Sequence, residues 1–120
     1  MDNDILLERQ NKNLLFDFYG ALLTEKQREI FALSNLEDCS FAEISKELEI
    51  TPQAVGDFVK RAAAQLEKYE KALGLVEKFS YQKQLIQDIE TGLDELCKAD
   101  EAEISGKITK IKTTLGQLLI

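Results

Sequence analysis

The sequence predicts an all-α protein, with a helix-turn-helix domain over residues 1–74 and a C-terminal helical hairpin or extension over residues 75–120. Three observations predict it. No run of β-branched residues alternates over the length of a strand, and a single Pro with no Gly/Ser-rich linker leaves little to interrupt helices. Helix-start signatures at Thr24 with Gln27, Ser40 with Glu43, and Thr51 followed by Pro52 divide the first part of the chain into separate elements. In the last third, apolar residues recur at steps of three and four.

Taken in order, the first amphipathic helix runs from about Asp4 to Leu23, with a break near Asn11 to Asn13. Leu15, Phe18, Tyr19 and Leu22 recur on its inner face, and Gly20 weakens its last turn. A capping box of Thr24 and Gln27 starts the second helix, which carries Ile30, Phe31 and Leu33 inward and ends near Leu36. Ser40 and Glu43 start the third, where hydroxyl and carboxylate each satisfy a free backbone donor; its apolar face is Phe41, Ile44 and Leu48. Glu49 and Ile50 make a short turn. Thr51 then caps a fourth helix whose first position, Pro52, has the required backbone angle and lacks only an N–H that would go unpaired. Val55, Phe58, Val59 and Ala62 turn inward, which leaves Gln53, Gly56, Asp57 and Lys60 outward, where a recognition helix meets a groove. The apolar period continues through Leu66, Tyr69 and Leu73 to Gly74, a left-handed C-terminal cap, for a helix about 33 Å long.

Beyond Gly74, Ile86, Ile89, Leu93 and Leu96 form one stripe; Ile104, Ile108, Ile111, Leu115 and Leu118 form another, after Asp100 and Glu103 at a helix start. Each stripe needs a partner, and two arrangements supply one. The helices form an antiparallel pair joined near Lys98 to Glu101 and packed on their own domain, or they form a seam with a second subunit or another protein. Both stripes are shorter than the three to four heptads that define a coiled coil.

Composition narrows the function. The 120 residues contain no His, which removes the commonest general base and metal ligand. There is no phosphate loop, nucleophile elbow or dinucleotide turn, and the carboxylates around Asp94 to Glu103 fit no calcium loop but suit a solvated, acidic helix start. The expectation is a protein with no catalytic activity, no metal and no cofactor. Cys39 and Cys97 fit no paired-ligand spacing and accompany no secretory signal, which places the chain in a reducing, cytoplasmic compartment. No apolar run approaches the roughly twenty residues of a membrane span, so no membrane insertion is expected.

A net charge of −7 opposes bulk coating of DNA but leaves room for a specific contact or for a basic protein partner. From Thr24 to Arg61 there are five basic and eight acidic side chains, and of those five cations only Lys60 and Arg61 lie on the recognition helix. The nucleic-acid-facing set is therefore Thr51, Gln53, Asp57, Lys60 and Arg61. Lys107, Lys110 and Lys112 give the last seventeen residues a charge of +3; they suit a helix C-terminus facing water, or an RNA phosphate docked against them.

Thr24 to Leu73 resembles the fourth region of bacterial sigma factors, through LTEKQREIF followed by SFAEISKELEITPQAVGDFVKR. A longer set is sharper: FDFYGALLTEKQ at Phe16 to Gln27, LED at Leu36 to Asp38, QAV at Gln53 to Val55, Asp57, KR at Lys60 and Arg61, and LEKYEKALGL. It resembles the YlxM family of helix-turn-helix proteins over roughly residues 3 to 80, thinning toward the C-terminus. That resemblance implies a sigma region 4-like fold in a small cytoplasmic bacterial protein linked to the signal recognition particle pathway, with DNA binding inferred from fold. Two positions depart from it. Where sigma-like helices tend to carry Arg this chain has Pro52 and Gly56, and YlxM relatives have Arg at the first and an aromatic at the second; neither residue here can make a charge-assisted or bidentate contact.

Two functions from different classes follow. One is a non-catalytic regulator whose sigma-like module contacts DNA or the particle's RNA, weakly and with steep salt dependence. The other is a protein-interaction adaptor that binds a basic partner such as the particle's GTPase and forms a homodimer through its C-terminal stripes.

Overall fold

In a computed structural model of the chain, the backbone of residues 2–119 and the side chains of residues 10–119 are described. The elements are α1 (Asp2–Tyr19), a 3-10 turn (Gly20–Leu22), α2 (Glu25–Asn35), α3 (Phe41–Leu48), α4 (Pro52–Leu73), α5 (Leu75–Lys98) and α6 (Glu101–Gln117). No strand occurs among the described residues. The fold is all-α, and three helices precede the recognition helix α4.

The chain divides into two compact units, Met1–Val76 and Glu77–Ile120. In the first, α4 packs against α1, α2 and α3 in turn. Two apolar clusters lie beneath it. Leu15, Tyr19, Leu23, Phe31, Ala62, Leu66 and Val76 form one, with Phe16 stacked on Phe31 at 5.4 Å between ring centroids. Ile30, Ile44 and Val55 form the other, ringed by Leu33, Leu48, Ile50 and Phe58. Val59 packs against both, so one side chain of α4 ties the two together.

Helix α1 departs from expectation twice. It is unbroken through Asn11 to Asn13, where the Asn13 side-chain oxygen accepts a hydrogen bond from Asn35 at 3.3 Å instead of competing for its own backbone. It also stops at Tyr19, and the tighter 3-10 turn that follows changes the phase of the chain. Leu23 is therefore buried in place of Leu22, which is 55 % exposed, and Phe18 lies at the surface.

Local capping sets most boundaries. Thr24 and Gln27 make a complete reciprocal box. Gly74, at φ 65°, ends α4 in the left-handed conformation, and α5 begins at the next residue. The donors at the start of α5 are met from a distance. The Tyr19 hydroxyl accepts from the Leu75 N–H at 3.0 Å and donates to Glu70 Oε1 at 2.5 Å, and the same carboxylate oxygen accepts from the Val76 N–H at 2.9 Å. Burial, then the hydrogen bond to Glu70, raises the pKa of the Tyr19 phenol above its ordinary value.

In the second unit, α5 and α6 run antiparallel across a two-residue connection. Their register follows from Lys107 Nζ, 3.4 Å from Glu95 Oε2, and from Gly92, where an added Cβ would lie 2.9 Å from the Ile111 side chain. Asp100 caps α6 by accepting from the Glu103 N–H. Among the described residues of this unit only Leu85 is buried. Ile89, Leu96, Ile104, Ile111 and Leu118 are half-buried, while Ile86, Leu93, Ile108 and Leu115 are 38–48 % exposed.

Candidate nucleic-acid interface

The site is α3, its turn and the first half of α4. The Ser40 hydroxyl accepts from the Glu43 N–H at 3.1 Å. The expected return bond from the Ser40 backbone N–H to Glu43 is replaced, because the Glu43 carboxylate accepts a hydrogen bond from the Ser40 hydroxyl instead. Glu49 ends α3 in the left-handed region at φ 57°, and the Ser45 hydroxyl reaches across the turn to the Ile50 carbonyl. The Thr51 hydroxyl accepts from the Ala54 N–H at 3.1 Å, with Pro52 in the first helical position. The turn is thus closed from both sides, over a seat of fully buried Ile30, Ile44 and Val55.

Thr51, Gln53, Asp57, Lys60 and Arg61 are all exposed on the outer face. Arg61 does not stand free. Its guanidinium lies 3.3 Å from the Asp57 carboxylate one turn back. The hydroxyl oxygen of Thr51 is engaged in the cap, so Gln53 and Lys60 are the polar side chains of this set with no partner among the described residues.

Two assignments require correction. Gly56 does not face outward; it is half-buried beneath the Phe41 ring, which a Cβ there would approach to 3.3 Å. Phe41 in turn does not belong to the inner face of α3 but lies at the surface, 43 % exposed, beside the recognition helix. At 100° per residue Gly56 falls on the boundary between the buried arc centred on Val55 and the outer one, which periodicity cannot resolve. The exposed aromatic and the closure by Ser45 were missed from sequence. The first-turn position of Phe41, next to its cap, is the one signal that could have found the former.

Nothing nearby prepares a reactive group. Burial, then the charges of Glu43, Glu37 and Glu47, raises the pKa of the Cys39 thiol, which lowers its thiolate fraction at neutral pH. No group of three potential metal ligands occurs among the described residues. A groove of about 660 Å³ between α5 and α6, lined by Asp88, Glu95, Glu103, Lys107 and Lys110, mixes acids and amines and includes the Glu95–Lys107 pair.

A capped helix, a left-handed turn and a second helix held outward on a three-helix seat define a helix-turn-helix protein. The comparisons agree, for the chain belongs to the family described as "UPF0122: Putative helix-turn-helix protein, YlxM / p13 like", whose profile matches residues 6–107. It is 43 % identical over 89 residues to a UPF0122 protein of Halalkalibacterium halodurans, covering 74 % of this chain and 82 % of that one. A Listeria welshimeri UPF0122 protein is 39 % identical over 114 residues, 94 % of this chain and 96 % of its own. An Exiguobacterium relative reaches 49 % over 84 residues, 69 % of this chain and 78 % of its own. No described helix is long and apolar enough to cross a membrane.

Proposed function

We propose that this protein is a non-catalytic regulator that contacts nucleic acid, DNA or the RNA of the signal recognition particle, through the outer face of α4. The observation that carries the reading is the exposure of Gln53, Lys60 and Arg61 along one helix face whose opposite side is fully anchored by Val55 and Ala62. Gln53 can read adenine, and the two cations can neutralise phosphates. With only two such cations, log K falls against log salt with a slope of about −2, a shallow dependence in place of the steep one expected from the sequence. A mobility-shift titration against duplex DNA and against particle RNA at two salt concentrations tests this. Lys60→Glu with Arg61→Glu is expected to abolish the shift, and absence of a shift for the wild type at low salt refutes the reading.

A second reading has its own support in the Asp57–Arg61 pair, which neutralises one of the two cations of the proposed contact, and in the exposed Phe41 ring beside α4. In it the surface docks a basic protein such as the particle's GTPase. Co-sedimentation with that partner and no nucleic-acid shift is the outcome that selects it.

A further inference from the structure

The two stripes of the hairpin lie on one side of it. Measured round each helix from the line where Gly92 meets Ile111 and Glu95 meets Lys107, both turn away in the same rotational sense, which for antiparallel helices is the same face. Ile86 and Leu115 then stand within about 2 Å of one level, and Leu93 and Ile108 within about 2 Å of another, roughly two turns along. These four are the stripe positions that remain 38–48 % exposed. At mid-height, Glu90 borders the patch on the free edge of α5 and Lys112 borders it on the free edge of α6. Both are exposed, and neither has an ion-pair partner among the described residues.

We propose that this face is covered by a second copy of the chain, with the two-fold axis running along the hairpin so that both tips point the same way. The patch is apolar at its centre and carries one charge of each sign on its two edges, which makes it complementary to itself. Only one of the two face-to-face arrangements uses that. With the axis along the hairpin, α5 lies on α6 of the partner at equal height, and Glu90 meets the partner's Lys112 twice. With the axis across the hairpin, α5 lies on its own copy about the patch centre, which brings Glu90 against Glu90 and Lys112 against Lys112. Charge selects the first, a four-helix bundle in which every neighbouring pair is antiparallel.

Sedimentation equilibrium of the full chain is expected to read a dimer. Leu93→Glu with Ile108→Glu is expected to read a monomer of unchanged helical content. Glu90→Lys and Lys112→Glu should each weaken the dimer roughly tenfold, and the double swap should restore it, because exchanging both charges keeps the pairing. In a chain carrying Cys39→Ser and Cys97→Ser, Glu90→Cys should form a disulfide with a Lys112→Cys chain and none with itself. A wild type that stays monomeric to its solubility limit overturns the proposal, as does a dimer that survives the Leu93 and Ile108 changes. Failure of the double swap to rescue, or self-linking of the Glu90→Cys chain, overturns the orientation.

Discussion

Asp57 holds Arg61 at 3.3 Å across one turn of α4, and both side chains are more than half exposed. Such a pair contributes little to folding, roughly 0.5 kcal/mol or less, but it keeps a guanidinium from other anions. Asp57→Asn is therefore expected to leave thermal stability nearly unchanged while tightening nucleic-acid binding about threefold to tenfold in the mobility-shift assay; no gain would mean that Arg61 is not a contact. Glu49 gives a second test that bears on the turn alone. Its side chain is exposed and its backbone is left-handed, which costs a non-glycine residue about 1 kcal/mol. Glu49→Gly should raise stability by about that amount in urea denaturation, without altering any contact of the outer face.

At the level of the helices, the start of α5 is held by Tyr19 and Glu70 rather than by a residue beside it in sequence. Tyr19→Phe removes both bonds of the hydroxyl and leaves the Leu75 N–H without its acceptor, so a loss of about 1–3 kcal/mol is expected. The raised pKa gives this a pH dependence. The unfolded phenol ionises near pH 10, below the folded one, so stability is unaffected under pH 10 and falls as pH rises beyond it. Tyr19→Phe should lose that part of the alkaline slope in denaturation curves taken from about pH 9 to pH 11.

The same helices show what could be read from the chain. Thr24, Ser40 and Thr51 were legible as caps because each acts on a donor three residues away. The Tyr19–Glu70 bond spans 51 positions and depends on α1 meeting α4, which no local pattern encodes. Leu22 was misplaced because a helical period was carried through a turn wound three residues at a time, and Phe18, which precedes that turn, lies at the edge of the buried face set by Leu15 and Tyr19. The exposure of Gln53 and Lys60 was legible because they lie well inside the outer arc of α4, whereas Gly56 lies at the edge of that arc and Phe41 at the first turn of α3.

Across the whole molecule, the two units bury their apolar residues very unequally. The core of the first holds fully buried Tyr19, Phe31, Ile30, Ile44, Leu66 and Val55, while the second buries Leu85 alone among its described residues. A hairpin with so little covered surface has few contacts to resist local opening. In hydrogen exchange read by mass spectrometry, α2 and α4 should be protected at any protein concentration. Peptides from residues 80–118 should exchange fast in dilute solution and slow as concentration rises. Exchange in that segment independent of concentration would contradict a second copy as its cover.

Pro52 has one more effect, on the manner in which α4 can be approached. Proline brings no amide hydrogen, and that of Ala54 is already taken by Thr51, so among the first three helical residues Gln53 alone keeps one to give. An anion arriving along the helix axis would find a single unclaimed amide where most helices offer several. Under the proposed function, recognition is accordingly sideways: a target would be gripped by flexible side chains along the barrel of the helix, with almost no help from the helix tip.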